Sequence, residues 1–140
     1  MAGNQAPIFS RVGLIGGIGS TTLTTAAADY TGVSTNNILI LTADSTNGSF
    51  VQRLRFKAIG TNVASVARIY INNGSVNTSA TNNVLFGELS LPATTAATAS
   101  ATVDLDYLMN FALPPGYKIY VGLGTTVAAG WVVSAIAGAY

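Results

Sequence analysis

Residues 113–140 read LPPGYKIYVGLGTTVAAGWVVSAIAGAY, and they decide the fold class. Pro114-Pro115-Gly116 stops whatever precedes it and forces a turn. Tyr117–Leu123 follows, rich in the β-formers Tyr, Ile and Val. Gly124-Thr125-Thr126 turns the chain, and Trp131–Ile136 reads as a second strand, which makes a terminal hairpin. No charged side chain follows Lys118, so this end of the chain is expected at the centre of a β core. Ile119–Tyr140 is also 22 uncharged residues, the length of a membrane-spanning helix. Its four glycines, its Val and Thr content and its missing basic flank argue against a span.

Working back along the chain, Phe50–Ile59 alternates with period two. Phe50, Gln52, Leu54, Phe56 and Ala58 share one face; Val51, Arg53, Arg55, Lys57 and Ile59 share the other. Ser65–Asn72 alternates again, with Ala67, Ile69 and Ile71 opposed to Val66, Arg68 and Tyr70, and is expected beside Phe50–Ile59 in an antiparallel ribbon. Asn72-Asn73-Gly74-Ser75 is a turn. Asn83–Leu91 is the next strand, with Gly87 a candidate bulge. Ala93–Ala101 is a loop or edge segment, and Thr102–Met109 alternates Val103, Leu105, Tyr107 against Asp104, Asp106, Leu108. The two carboxylates are placed to oppose the Arg53/Arg55/Lys57 stripe.

Upstream, Asn37–Ala43 is a short apolar run of buried-strand type, closed by an Asp44–Gly48 loop. Thr21–Ala27 is a weak strand and Asp29–Gly32 a turn. Phe9–Ile15 reads either as the first strand of the domain or as an extended arm behind a polar leader, with Gly16-Gly17-Ile18-Gly19 as a flexible joint. The arm reading divides the chain into an N-terminal extension, 1–19, and a single domain, 20–140. About eight strands separated by Gly, Asn and Pro turns, with no helical pattern, make an all-β antiparallel sandwich. The long connections 21–37, 75–83 and 91–101 favour Greek-key crossings and a jelly-roll-like order. Leu54, Phe56, Ile69, Ile71, Val103, Leu105, Ile119 and Val121 are expected inside.

Composition restricts function more than it defines it. Only 8% of residues are charged, the net charge is +1, and 17 Thr, 11 Ser and 11 Asn fill the gap. That balance gives no electrostatic case for nucleic acid or an anionic membrane. There is no His and no Cys, which excludes thiol chemistry, disulfides, the usual zinc sites and histidine acid–base catalysis. The start shows no signal-peptide pattern, so synthesis in the cytoplasm is expected. Asp104 and Asp106, two apart on one strand face, do not straddle a substrate and supply too few ligands for calcium. Trp131 with Tyr70, Tyr107, Tyr117 and Tyr120 reads as core and interface before it reads as a sugar platform. We expect no enzyme, no cofactor and no metal. A surface this poor in charge favours association, with the uncharged C-terminal stretch near subunit contacts.

The segments PPGYKIYVGLGTTVAAGWVVSAIAGAY, FVQRLRFKAIGTNVASVARIYINNG and NNVLFGELSLPATTA resemble small structural proteins of tailed bacteriophages. In particular the chain is similar to head decoration, or cement, proteins, over about Phe50 to Tyr140. The resemblance implies a virion protein on the capsid surface, often a homotrimer, whose partners are the major capsid protein and its own copies. The competing class is a tail or fibre receptor-binding domain that holds carbohydrate. The partner-contact candidates are Phe9, Arg11, Val12 and Leu14 on the N-terminal segment and Arg53, Arg55 and Lys57 on the basic stripe.

Overall fold

In the computed structural model, residues 10–20, 22–27 and 29–140 are described. Phe9, the leader before it and Thr21 lie outside them. Eight strands form: β1 Val12–Gly16, β2 Ile38–Thr42, β3 Ser49–Ala58, β4 Ser65–Asn72, β5 Asn83–Leu91, β6 Asp104–Leu113, β7 Lys118–Leu123 and β8 Trp131–Ala139. A single 3-10 turn, Ala80–Asn82, precedes β5. Among the described residues no helix is long and apolar enough to cross a membrane.

The strands make two four-stranded antiparallel sheets, ordered β1-β8-β3-β6 and β2-β7-β4-β5. The pairs β1–β8, β2–β7, β3–β6 and β4–β5 are those of one long hairpin wound over on itself, which is the jelly roll. Only β4 and β5 are consecutive strands sharing a sheet. Two expected neighbours are therefore separated. β3 and β4 lie in opposite sheets, and so do β7 and β8. Each pair buries apolar residues in the same core, so alternation alone cannot say whether they meet edge to edge or face to face. The 75–83 connection, read as a crossing, joins β4 to β5 within one sheet. The uncharged C-terminal strands are central, β7 between β2 and β4, β8 between β1 and β3.

The core is built from Leu54, Phe56, Ile69, Leu91, Ile119, Val121, Leu123 and Trp131, all essentially without exposure. Ile71 and Leu105 pack on its margin. Val103 does not belong to it: it is exposed, one residue before β6 begins, where no facing strand covers it. The strict alternation of β3 is also broken. Gln52 is an extra residue relative to β8, and Met109 and Asn110 together face it on β6, Asn110 with φ +52°. One inserted residue swaps faces. Val51 therefore turns into the core while Phe50 turns outward beside Ala112 and Gly138.

The glycine joint is a tight turn. A side chain at Gly16 would collide with the Ile40 carbonyl, and one at Gly17 with the Val133 carbonyl. Backbone from both sheets approaches closely there, and Gly17 adopts φ +88°. Of the two readings of the N-terminal segment, residues 12–16 sit in the sandwich as an edge strand, paired Val12 to Ala139 through Gly16 to Ala135. The pairing reaches back across the proposed 19/20 division.

Truncating Leu54 to Ala is expected to cost about 2–5 kcal/mol in urea unfolding, as for a fully enclosed leucine. Val103→Ala is expected to fall within about 0.5 kcal/mol of wild type, because water already reaches that side chain.

Candidate interaction surfaces

On the outer face of the first sheet, β3 and β6 pair Arg55 with Asp106 and Lys57 with Asp104. The side chains lean diagonally. Arg53 Nη1 lies 3.1 Å from Asp106, Arg55 bonds Asp104 and reaches Asp106 at 3.5 Å, and Lys57 Nζ donates to the Thr102 carbonyl at 2.7 Å. Both arginines of the stripe are thus paired with carboxylates of their own sheet, while Lys57 bonds only a backbone carbonyl. These pairs are half-exposed and each contributes at most about 1 kcal/mol. Both carboxylates are occupied by guanidinium groups, and no cluster of three potential metal-ligating side chains occurs among the described residues.

The other half of this face is apolar. Cross-strand register sets Ile15 beside Ile136, Ile136 beside Arg53, and Arg53 beside Leu108. The next row runs Gly13, Gly138, Phe50, Ala112. Leu108 is 67% exposed and Ile15 56%. The pattern is an apolar patch crossed by the ion-paired Arg53, with Arg55, Lys57, Asp104 and Asp106 at one side. Of the candidate contacts, Arg53 thus lies within it, and Arg55 and Lys57 border it. Arg11 lies exposed at its β1 margin; Val12, though exposed, shares the opposite face with Leu14, which turns inward and packs against the core.

The second sheet is covered differently. Leu23 pairs with Trp131 of the first sheet and Ala26 bridges Leu123, and residues 29–37 then lie over the outer face of the second sheet as a strap. The Asp29 carboxylate ties the strap's turn, accepting from the backbone N–H groups of Thr31 (3.0 Å), Gly32 (2.7 Å) and Ser34 (3.1 Å). Tyr70, on the outward side of β4, is buried beneath it and donates its hydroxyl to the Asp29 carbonyl at 3.0 Å. Arg68 stacks 4.0 Å from the Tyr30 ring and bonds Glu88 at 3.0 Å. Burial first, and the Asp29 charge second, push the Tyr70 hydroxyl up to about 12. Beside the strap, Thr22, Thr24, Thr25, Thr35, Asn36 and Ile38 line a hollow of about 160 Å³ with no charged or aromatic side chain.

A third cluster lies where the connections around β3–β4, β5–β6 and β7–β8 meet. Asn62, nearly enclosed, donates Nδ2 to the carbonyls of Gly60 (3.3 Å) and Gly130 (3.2 Å) and to Thr94 Oγ1 (3.1 Å). Its Oδ1 accepts from the N–H groups of Ala129 (3.0 Å) and Gly130 (2.6 Å). The backbones of Asn62 and Thr94 exchange two further bonds. On the open side of the sandwich, Phe86 meets Tyr107 edge-on at 6.4 Å and Phe111 at 5.1 Å. Phe86 is the extra residue of a β5 bulge, and the adjacent Gly87 leaves room for the Tyr107 hydroxyl.

Nothing in Gly60-Thr61-Asn62 distinguishes a solvated asparagine from one whose side chain makes four of its five hydrogen bonds to two distant loops. The aromatic set is dispersed, with Trp131 and Tyr70 fully buried in different layers. No protein-family model matches the chain, and neither the curated proteins nor the solved structures yield a significant match.

Asn62→Ala strands buried backbone donors and acceptors at about 1–3 kcal/mol for each uncompensated group, so a loss of about 3 kcal/mol or more is expected by chemical denaturation. Arg55→Ala on the exposed ladder is expected to cost about 1 kcal/mol or less. Tyr70 gives a pH signature. Its hydroxyl ionises near 10 when unfolded and higher when folded, so its contribution is intact below about pH 10 and falls as the pH climbs towards 12. Stability of wild type should therefore drop relative to Tyr70→Phe over that interval.

Proposed function

We propose that this protein is a structural virion component of the capsid-decoration class, which docks on the outside of a phage head through the outer face of its first sheet. The observation that carries the reading is the make-up of that face. Its arginines are paired internally, Arg53 with Asp106 and Arg55 with Asp104, and its lysine, Lys57, is held by the Thr102 carbonyl. The apolar side chains of Ile15 and Ile136 lie on one side of Arg53 and Leu108 on the other. A face most of whose charges are already matched loses less on desolvation and gains from apolar burial, as a surface-binding module requires. Jelly rolls serve as capsid and lectin domains, which is support by fold analogy. The resemblance of Phe50–Tyr140 to head decoration proteins points the same way.

The rival reading, a carbohydrate-binding tail or fibre domain, needs an aromatic platform. Trp131 and Tyr70 are in no position to form one.

Heads and tails separated from purified virions should be probed for the protein by mass spectrometry. It is expected with the heads, and recovery with the tails overturns the proposal. In a reconstitution with heads lacking the protein, Leu108→Lys should weaken binding at least about 10-fold, as expected when a buried leucine worth about 1.5–3 kcal/mol is lost.

A further inference from the structure

The two sheets have four ends, β1, β6, β2 and β5. Three are guarded in the way natural sheets avoid pairing with other chains. β6 carries Asp104, Asp106 and the bulge at Asn110. β5 carries Glu88 and the bulge at Phe86. β2 is bulged at Ile40. β1 has none of these devices. Its register against β8 is unbroken over five residues, and Val-Gly-Leu-Ile-Gly contains neither charge nor proline. Val12 and Ile15 are 65% and 56% exposed along it.

We propose that β1 is a self-pairing edge, joining the β1 of a second copy antiparallel about a two-fold axis at Leu14, so that two first sheets become one continuous sheet of eight strands. The choice of a second copy rests on the strand's own order of large and small residues. With Leu14 opposite its counterpart, Ile15 faces Gly13 and Val12 faces Gly16 of the other copy. On the outer face the exposed Ile15 thus meets a residue with no side chain, while on the inner face Val12 lies beside Gly16, whose side-chain space the Ile40 carbonyl already fills. The position a Gly13 side chain would occupy has no atom within 4 Å, so the space for the opposing Ile15 is open. Arg11 falls opposite residue 17, which keeps the two like charges from facing each other. The apolar row Ile15–Ile136 then continues across the axis into the second subunit. A two-fold contact of this kind is isologous and closed, so it ends at a dimer rather than a filament. It differs from the three-fold assembly expected from sequence resemblance, and it holds whichever particle the protein serves.

The test uses the full chain at concentrations on the order of tens of micromolar, suited to a small strand-edge contact of micromolar Kd. Sedimentation equilibrium should give twice the 14.3 kDa chain mass. Ile15→Lys should return the monomer, with an unchanged circular dichroism spectrum and melting curve. Leu108→Lys, at the opposite end of the sheet, should stay dimeric, which places the contact at the β1 edge rather than across the rest of the outer face. Register is read by cross-linking, since the native chain has no cysteine. Gly13→Cys mixed with Ile15→Cys should form a disulfide-linked pair under mild oxidation, several-fold more than either variant alone. A wild-type monomer or trimer, a dimer that survives Ile15→Lys, or equal cross-linking of each variant with itself overturns the proposal. So does exclusive pairing of β1 with a segment of another protein.

Discussion

One side-chain amide holds the loop end of this sandwich together. Asn62 has two donor hydrogens and one acceptor oxygen, and its partners belong to three connections that are remote in sequence. In a low-dielectric site such a network is strong when every member is satisfied and costly when one is lost. The jelly roll makes this necessary. Because its strands alternate between sheets, most connections must cross from one layer to the other, and backbone groups leave the ladders where they cross. Asn62 and Thr94 supply the missing partners at one such place. Apolar packing of Trp131 and Leu23 is contiguous with it, and Gly130 is confined between Thr22 and Thr24.

Bulges do the other organising work. Each of three edge strands has one extra residue at a defined point, and each redirects a side chain. On β3 the insertion at Gln52 moves Val51 inside and Phe50 outside, which gives the outer face its apolar half. On β5 it throws Phe86 towards Tyr107 and Phe111, covering part of the gap between the edge strands. The charge ladder on β3 and β6 falls on the far side of the Gln52 bulge, where alternation is regular.

That division explains what the sequence makes legible. Strand positions such as Ser65–Asn72 and Asn83–Leu91 follow directly from alternation and turn residues, because period two is a local property. The opposition of Arg53 and Arg55 to Asp104 and Asp106 is legible too, since opposite charge on two outward strand faces selects its partner. Pairing is not local. Phe50–Ala58 and Ser65–Ile71 have the same alternation whether they are neighbours or face each other across the core. Burial of Tyr70 depends on a strap anchored by Asp29, forty residues away, whose sequence reads only as a turn. Val103 is misjudged for a related reason: an apolar residue at a strand end is inside or outside according to what another segment places over it.

The central position of β8 has a consequence for how the chain is made. β1 and β3 are both finished long before the strand that must lie between them emerges from the ribosome. Until residues 131–139 are available, neither has its ladder partner on that side, and the first sheet cannot close. Folding of this sheet is therefore a late, cooperative event with high contact order, set off by the last strand of the sandwich rather than built up from its first. During translation the unpaired β1 and β3 segments are the ones at risk of pairing with the wrong chain. A nascent chain cut before Trp131 lacks the layer that presents Ile15 and Leu108 together, so incomplete molecules are kept out of any assembly that recognises that face.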